Sequence, residues 1–217
     1  MSNKIHPDSK VELSPLIAKH YDRIMNSITF GKYNRFIHTA VKDMNIQTND
    51  HILDLACGTG KNAALMAKFL GEKGSVTGID VSPVMGKQFM EKHGSDSRFD
   101  FKQKRIDVPF QLEKKYDKVL ISFVIHGLPH EHRKNLIQNA FNHLKPGGKL
   151  LILDFSEFDM AEMPSHHRFI FKTVECKYAF DYIERDWKSI LTEYGLSNFE
   201  EKKYMKKYTR LLTAAKN

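Results

Sequence analysis

Cysteine, tryptophan and long apolar runs are scarce in this chain of 217 residues. Its two cysteines, Cys57 and Cys176, are too few for a disulfide framework, so we expect a reducing, cytoplasmic setting. No apolar run approaches the roughly 18–20 residues that a membrane helix needs. The first residues lack the apolar core of a secretory signal, so we expect none. The overall composition, with 41% hydrophobic and 28% charged residues, is typical of a soluble globular protein.

Acidic residues are outnumbered, and the excess of positive charge is unevenly placed. The chain has 34 Lys and Arg against 26 Asp and Glu, which gives a formal net charge of +8. Residues 198–217 carry half of this excess. Such a concentration favours the solvated surface of a terminal hairpin and leaves weak contact with a membrane surface open. We expect no stable nucleic-acid partner.

Apolar periodicity divides the chain into three zones. Residues 9–45 show helical spacing, interrupted at Gly31. Residues 51–155 alternate short apolar strands with helices, which predicts a parallel sheet with helices on both faces. The predicted strands are 51–55, 75–80, 99–104, 118–125 and 149–155, and the predicted helices are 61–70, 83–93 and 131–144. After a polar loop at 156–164, the pattern predicts helices 165–180 and 184–194, then strands 198–204 and 208–214 joined by a tight lysine turn.

The strongest local signal is the strand-to-helix turn Ala56-Cys57-Gly58-Thr59-Gly60. An acid, Asp54, precedes this turn at the end of an apolar strand. Glycines allow a sharp turn and leave room for a ligand where a side chain would stand. The spacing Gly58-x-Gly60-x-x-Ala63, with Asp80 further on, also matches the loose dinucleotide fingerprint. A nicotinamide dehydrogenase is therefore one candidate class.

Further landmarks follow in order along the chain. The second strand ends in Asp80, Asp107 follows the third strand, and a Leu144-Lys-Pro-Gly-Gly turn precedes the fifth. Together with the Asp54 turn, these motifs resemble those of class I S-adenosylmethionine-dependent methyltransferases. The resemblance implies a Rossmann-like α/β fold, with a seven-stranded, mostly parallel sheet, helices on both faces and a C-terminal antiparallel hairpin. It also implies S-adenosylmethionine as cofactor and S-adenosylhomocysteine as product.

The same resemblance assigns roles to individual residues. Asp80 would accept hydrogen bonds from both ribose hydroxyls, Met85 would pack on the adenine, and Asp107 would accept from its amino group. The expected cofactor-binding residues are Tyr21, Asp54, Ala56, Gly58, Gly60, Asp80, Val81, Met85, Asp107, Val108 and Ser122. We expect a single methyltransferase domain with a helical cap (1–50), a cofactor-binding core (51–155), a substrate lid (156–183), and a terminal helix with the hairpin (184–217).

Residues 15–156 resemble one subgroup further, the ubiquinone/menaquinone biosynthesis C-methyltransferases. The likeness is carried by residues 18–26, by Ile28-Thr29-Phe30-Gly31 and by residues 151–156. It implies that Tyr21 closes over the methionine end of the cofactor and that the acceptor is a quinol. After Ser122-Phe123, however, the chain has Val124-Ile125-His126-Gly127 where that family has an apolar pair and then Arg-Asn. O-, N- or S-methylation of another small metabolite is therefore the alternative.

Two residues at the carboxyl ends of strands are candidates for catalysis. His126 follows the fourth strand, and an imidazole with an ordinary pKa near 6.5 suits a base that takes a proton from the acceptor. A helix cap or a packing role is the alternative for His126. Asp154 ends the fifth strand, where it would orient a substrate hydroxyl or cap the next segment. His130, Glu131 and His132 lie close to His126 in the sequence, but the spacing of these residues matches no zinc motif, so we expect no metal.

Two further classes remain. A nucleic-acid methyltransferase would account for the basic tail, but the fourth strand lacks the Asn/Asp-Pro-Pro-aromatic signature of enzymes that methylate exocyclic amines. A non-catalytic binder of S-adenosylmethionine would use the same glycine turn. The sequence favours a methyltransferase acting on a small aromatic or apolar molecule, as a monomer or a homodimer.

Overall fold

A computed structural model of the protein describes residues 5–9 and 32–217. Of the expected helical cap, the structure describes residues 5–9 and the part from helix α1 (Lys32–Asp43) onward, and α1 presents Phe36, Ile37 and Ala40 to the core. Tyr21, the residue expected to close over the cofactor, lies outside the described residues.

The architecture is a seven-stranded sheet in the order β3-β2-β1-β4-β5-β7-β6. The strands are β1 (His51–Leu55), β2 (Ser75–Asp80), β3 (Phe99–Gln103), β4 (Tyr116–Ser122), β5 (Leu144–Phe155), β6 (Leu196–Tyr204) and β7 (Thr209–Lys216). The remaining helices are α2 (Lys61–Met66), α3 (Pro83–His93), α4 (His130–His143), α5 (Ser165–Val174), α6 (Lys177–Ile183) and α7 (Trp187–Glu193). Strands β1 to β5 pair in parallel, whereas β7 runs antiparallel to β5 and to β6. The predicted fold class is confirmed.

The sheet is covered on both faces, which explains its nearly continuous apolar strands. One core contains Leu53 and Leu55 of β1 together with residues of α4, α6 and α7. The other core contains Ile52 of β1 together with residues of α1, α2 and α3. The strand order reverses between β1 and β4, and in open α/β sheets ligands bind at the carboxyl ends of the strands at such a reversal.

Several predicted boundaries differ from the structure, and two of these differences lie beside the candidate site. Strand β4 ends at Ser122 and not at residue 125, because Phe123 adopts a left-handed backbone (φ 48°) and the chain then enters a 3-10 helix, Ile125–Gly127. The single helix predicted for 165–180 is two helices, α5 and α6. Glu175 and Cys176 between them are extended, with ψ values of 159° and 166°. Helix α2 is shorter than predicted and ends at Met66, and β5 begins at Leu144 and not at residue 149, so that the Leu144-Lys-Pro-Gly-Gly segment is part of the strand.

The terminal hairpin of β6 and β7 forms as predicted, and its turn is the lysine segment Met205–Lys207. All three turn residues have positive φ values of 47°, 57° and 78°. Pairing of β7 with β5 sets Arg210 directly beside Asp154. Within the described residues, no helix combines the length and apolar character needed to cross a bilayer.

Candidate active site

The glycine turn after β1 forms an open cradle. Ala56, Gly58 and Gly60 have positive φ values of 62°, 55° and 80°, so the chain leaves the strand abruptly. A Cβ atom at Gly58 would meet no atom within 4 Å, whereas at Gly60 it would stand 2.7 Å from the side chains of Phe89 and His93. Gly60 is therefore needed for packing, while Gly58 faces open space that a ligand can occupy.

Asp54 is a buried acid that has no hydrogen-bond partner within the described part of the chain. It is inaccessible to solvent, and neither carboxylate oxygen has a hydrogen-bond partner among the described residues. Burial, with a smaller contribution from the charge of Asp80, raises the pKa of Asp54 to about 7. An unpaired buried carboxylate is costly, so its presence indicates a binding site for a cationic group.

Asp80, at the end of β2, is fixed against the turn. One oxygen, Oδ2, accepts from the Gly58 amide at 2.9 Å, and the other, Oδ1, accepts from the Ser82 amide at 2.8 Å. Burial raises the pKa of Asp80, and these backbone hydrogen bonds oppose the increase. Each oxygen keeps a lone pair for a further donor. Helix α3 follows, capped by Ser82, and carries Met85, which is buried beside this edge of the sheet.

Asp107 lies in a different environment from Asp54 and Asp80. Its carboxylate accepts from Arg105 at 2.7 and 3.0 Å, and it lies 2.8 Å from His6 Nε2 and 3.1 Å from His132 Nδ1. Burial raises the pKa of Asp107, but the hydrogen bonds from Arg105 and His6 outweigh it and hold the pKa at about 2. Adenine recognition by Asp107 stays a prediction, and a ligand there would share a carboxylate that already has partners.

The ligand atoms of His6, Asp107 and His132 lie within 4.8 Å of one another, a donor set that can hold a metal ion. Sequence spacing gives no sign of this group, since His6 and Asp107 are 101 positions apart. Arg105 already neutralises the only carboxylate of the set. The absence of a bound metal thus remains a prediction.

His126 and Asp154 form a buried pair at the carboxyl ends of β4 and β5. His126 Nδ1 lies 2.7 Å from Asp154 Oδ1, and the Phe155 amide donates to the same oxygen at 2.8 Å. On the other side of the ring, Nε2 lies 3.6 Å from Glu175 Oε2. Arg133 holds the segment in place by donating to the carbonyls of Ile125 and His126 at 3.0 and 3.1 Å.

The pKa of His126 is raised despite its burial. Desolvation by itself lowers it, but the charge and hydrogen bond of Asp154, together with the charge of Glu175, outweigh that effect. This arrangement fixes the ring, favours a proton on Nδ1 facing Asp154, and aims Nε2 at the α5–α6 junction. Chemically, the pair can take up a proton and hold the resulting imidazolium.

Glu175 is a site residue that the sequence did not reveal. Its position marks the break between α5 and α6, and a continuous helix was predicted there. Glu131, which follows His130 in the sequence, lies away from this pair and forms an ion pair with Lys134 on the surface. Phe171 of α5 is buried against Phe155, which lies beside the His126 ring.

The residues expected to bind the cofactor thus fall into two groups in the described structure. One group lies in β1 or on the turn after it, around the end of β2 or at the start of α3, and Ser122 ends β4 nearby in the sheet order; its other members are Asp54, Ala56, Gly58, Gly60, Asp80, Val81 and Met85. Asp107 and Val108 lie on a loop that Asn139 fixes by donating to the Val108 carbonyl at 2.8 Å. This is a Rossmann-like α/β protein with an open cradle and a histidine–aspartate pair at one sheet edge.

Comparison with known proteins identifies the family. The model of the ubiE/COQ5 methyltransferase family matches residues 7–179. The chain is 31% identical over 147 residues to a demethylmenaquinone methyltransferase of Lactiplantibacillus plantarum, covering 66% of this chain and 61% of that protein. It is 29% identical over 161 residues to a demethylmenaquinone methyltransferase of Lactobacillus johnsonii, covering 72% of this chain and 65% of that protein. The chain thus spans less than two thirds of the length of each relative.

A solved structure has the same fold. A SAM dependent methyltransferase from Aquifex aeolicus superposes with a TM-score of 0.65 at 18% identity, over 94% of this chain and 99% of that chain. The chain belongs to the ubiE/COQ5 methyltransferase family, and the resemblance inferred from the motifs is confirmed.

Proposed function

We propose that the protein transfers a methyl group from S-adenosylmethionine to a small hydroxyl-bearing acceptor of the quinol type. The observation that carries the proposal is the buried carboxylate of Asp54, which has no partner among the described residues and precedes a turn with open space at Gly58. A buried acid and an open turn of this kind suit a ligand with a cationic group. S-adenosylmethionine, when bound, supplies a methyl group already activated on a sulfonium.

The residues at the turn fit that cofactor. Asp54 would face its ammonium group, and Asp80, with both oxygens oriented by backbone amides, would accept from its ribose hydroxyls. Met85 offers an apolar side chain to the adenine. Ala56, Gly58, Gly60, Val81, Val108 and Ser122 would complete the lining, and Asp107 would add an acceptor at the adenine edge.

The His126–Asp154 pair serves the acceptor. His126 Nε2 takes the proton of an acceptor hydroxyl, while Asp154 holds the ring through Nδ1 and stabilises the imidazolium. Loss of that proton makes a phenolic ring electron-rich, both at oxygen and at the adjacent carbon. In this role the pair takes the place of the Arg-Asn that the ubiquinone/menaquinone C-methyltransferases have after the fourth strand. The second candidate function, O-methylation of another small metabolite, is served equally well by the same pair.

The remaining parts of the proposal concern location and partners. The protein works in the cytoplasm as a monomer or homodimer, without a stable nucleic-acid partner, and the basic hairpin makes weak contact with a membrane surface. In the proposed domain, residues 156–183 act as the substrate lid, which is supported by the reach of Glu175 to His126.

The decisive experiment supplies the purified protein with isotopically labelled S-adenosylmethionine and a short-chain naphthoquinol. We expect a labelled product, and two-dimensional NMR of that product distinguishes a ring carbon from an oxygen as the methylated atom. A His126→Gln variant is the matched negative control, and a His38→Gln variant, changed on the exposed face of α1, is the positive one. If the wild type yields no label from this quinol or from a cell extract while it binds S-adenosylhomocysteine, the protein is a non-catalytic binder.

A further inference from the structure

Helix α5 exposes a continuous apolar face. Phe169, Ile170 and Val174 are 72%, 56% and 57% exposed. With 100° per residue they lie within one side of the helix, together with Thr173. Three large exposed apolar side chains on a ten-residue helix form a patch of the kind that marks an interaction surface.

Three exposed lysines lie on this helix or in the hairpin turn next to it. Helix α5 carries Lys172 and has no acidic residue. The hairpin turn Met205–Lys207 lies next to it, since the Tyr208 ring is 6.1 Å from the ring of His167 on α5. Lys206 and Lys207 are exposed and form no ion pair with a described residue. Met205, the first residue of the turn, is 45% exposed.

The inner side of the same helix faces the candidate acceptor site. Phe171 packs edge-on against Phe155 at 5.2 Å between ring centroids, and Phe155 in turn lies 4.9 Å from the His126 ring. Glu175, directly after α5, reaches His126 Nε2. One helix thus has its buried side at the acceptor base and its exposed side toward the surroundings.

We propose that the α5 face and the Met205–Lys207 turn dock the protein on a bilayer surface that contains anionic phospholipid. The apolar side chains enter the boundary between headgroups and acyl chains, and the lysines contact the lipid phosphates. Charge complementarity selects this occupant, because the exposed side chains of Lys172, Lys206 and Lys207 stand on or next to the apolar helix and match an anionic bilayer surface. This inference rests on the proposed function, because it extends the weak membrane contact proposed there for the basic hairpin and takes access to an apolar acceptor as the reason for docking.

The test is co-sedimentation of the full chain with vesicles of phosphatidylcholine alone or mixed with phosphatidylglycerol. We expect binding to the mixed vesicles that weakens as salt is raised. Each lysine near such a surface contributes roughly a factor of five in affinity, so Lys206→Gln with Lys207→Gln weakens binding by about 30-fold. Phe169→Ser with Ile170→Ser abolishes it.

The matched control changes two apolar residues of similar exposure elsewhere, Phe69→Ser and Met90→Ser, which are 43% and 46% exposed in the wild type. Binding by this control must equal that of the wild type. Equal binding of the wild type to both kinds of vesicle, or no loss in the Phe169/Ile170 variant, overturns the proposal. So does a change in sedimentation coefficient of that variant without vesicles, which identifies a second copy as the occupant. Turnover of a water-soluble quinol by the Lys206→Gln/Lys207→Gln variant, whose changes lie outside the proposed lid, separates loss of docking from loss of activity.

Discussion

At the scale of single residues, Asp54 combines a cost in stability with a role in binding. The folded protein holds its proton up to about pH 7, whereas the unfolded chain loses it near 3.8. Between these values the folded state binds more protons, so the free energy of unfolding falls as the pH rises. A shift of this size corresponds to about 4 kcal/mol across the window.

We predict that Asp54→Asn removes this slope. Urea unfolding of the variant between pH 4 and 8 should show a flatter dependence on pH than the wild type, and calorimetry should show loss of affinity for S-adenosylhomocysteine. Wild-type affinity should itself rise as the pH passes 7, because the ionised carboxylate is the form that attracts a cation. Identical slopes for the two proteins would show that the titration of Asp54 does not cause the pH dependence of the free energy of unfolding.

His126 has a predicted signature in the pH dependence of turnover. Since its pKa is raised and only the neutral ring accepts a proton, the rate should increase as the pH rises above 6.5. His126→Gln should lower turnover about 10²–10⁴-fold and abolish this increase. Substrate binding should be little affected, so the loss should appear in kcat more than in KM.

Asp154 is expected to act through His126, and its own variant tests that. Asp154→Asn removes the charge that raises the pKa of His126, so the rising limb should move to lower pH while the maximal rate falls. A purely structural role would lower the rate without moving the limb. That second outcome would contradict the assignment of Asp154 as the group that positions and charges the base.

At the scale of elements, the two glycines of the turn have different roles, Gly60 in packing and Gly58 in ligand binding. Both have positive φ, so alanine at either position costs about 1–2 kcal/mol of backbone strain. At Gly60 the new methyl also collides with Phe89 and His93, which adds roughly 1–3 kcal/mol. At Gly58 the methyl enters only the open space of the cradle.

We therefore predict opposite patterns for two nearly identical variants. Gly60→Ala should lose more stability in thermal unfolding than Gly58→Ala. Gly58→Ala should lose more affinity for S-adenosylhomocysteine than its modest loss of stability explains. Equal affinity of Gly58→Ala and the wild type would show that the space at Gly58 belongs to no ligand.

The elements that local sequence determines were predicted well. Strands β1 and β2 and helix α3 have the predicted bounds, because turn glycines, Pro83 and the alternation of apolar runs mark their ends. The break between α5 and α6 was missed, since burial of Cys176 and the contact of Glu175 with His126 decide it. Both are tertiary contacts, and helical periodicity continues across them.

At the scale of the whole molecule, the sheet topology assembles a site from distant parts of the chain. The acids at the ends of β1, β2 and β5 could be predicted to share one edge, since parallel strands align their carboxyl ends. The partners of Asp107 could not, because the contact with His6 joins the described N-terminal segment to the core over 101 positions. The same topology places half of the net charge on an edge hairpin, away from the glycine turn.

Binding of the cofactor product should be visible in the stability of the whole chain. A ligand at 100 times its Kd that binds only the folded state adds about 2.7 kcal/mol to the free energy of unfolding. For a chain of this size, each kcal/mol raises the melting temperature by about 2–4 °C, so S-adenosylhomocysteine should raise it by about 5–10 °C in a concentration-dependent way. Asp80→Ala, which removes the acceptor fixed by Gly58 and Ser82, should need far more ligand for the same shift. NADH is the matched control, because a dehydrogenase using the same glycine turn would respond to it and a methyltransferase would not.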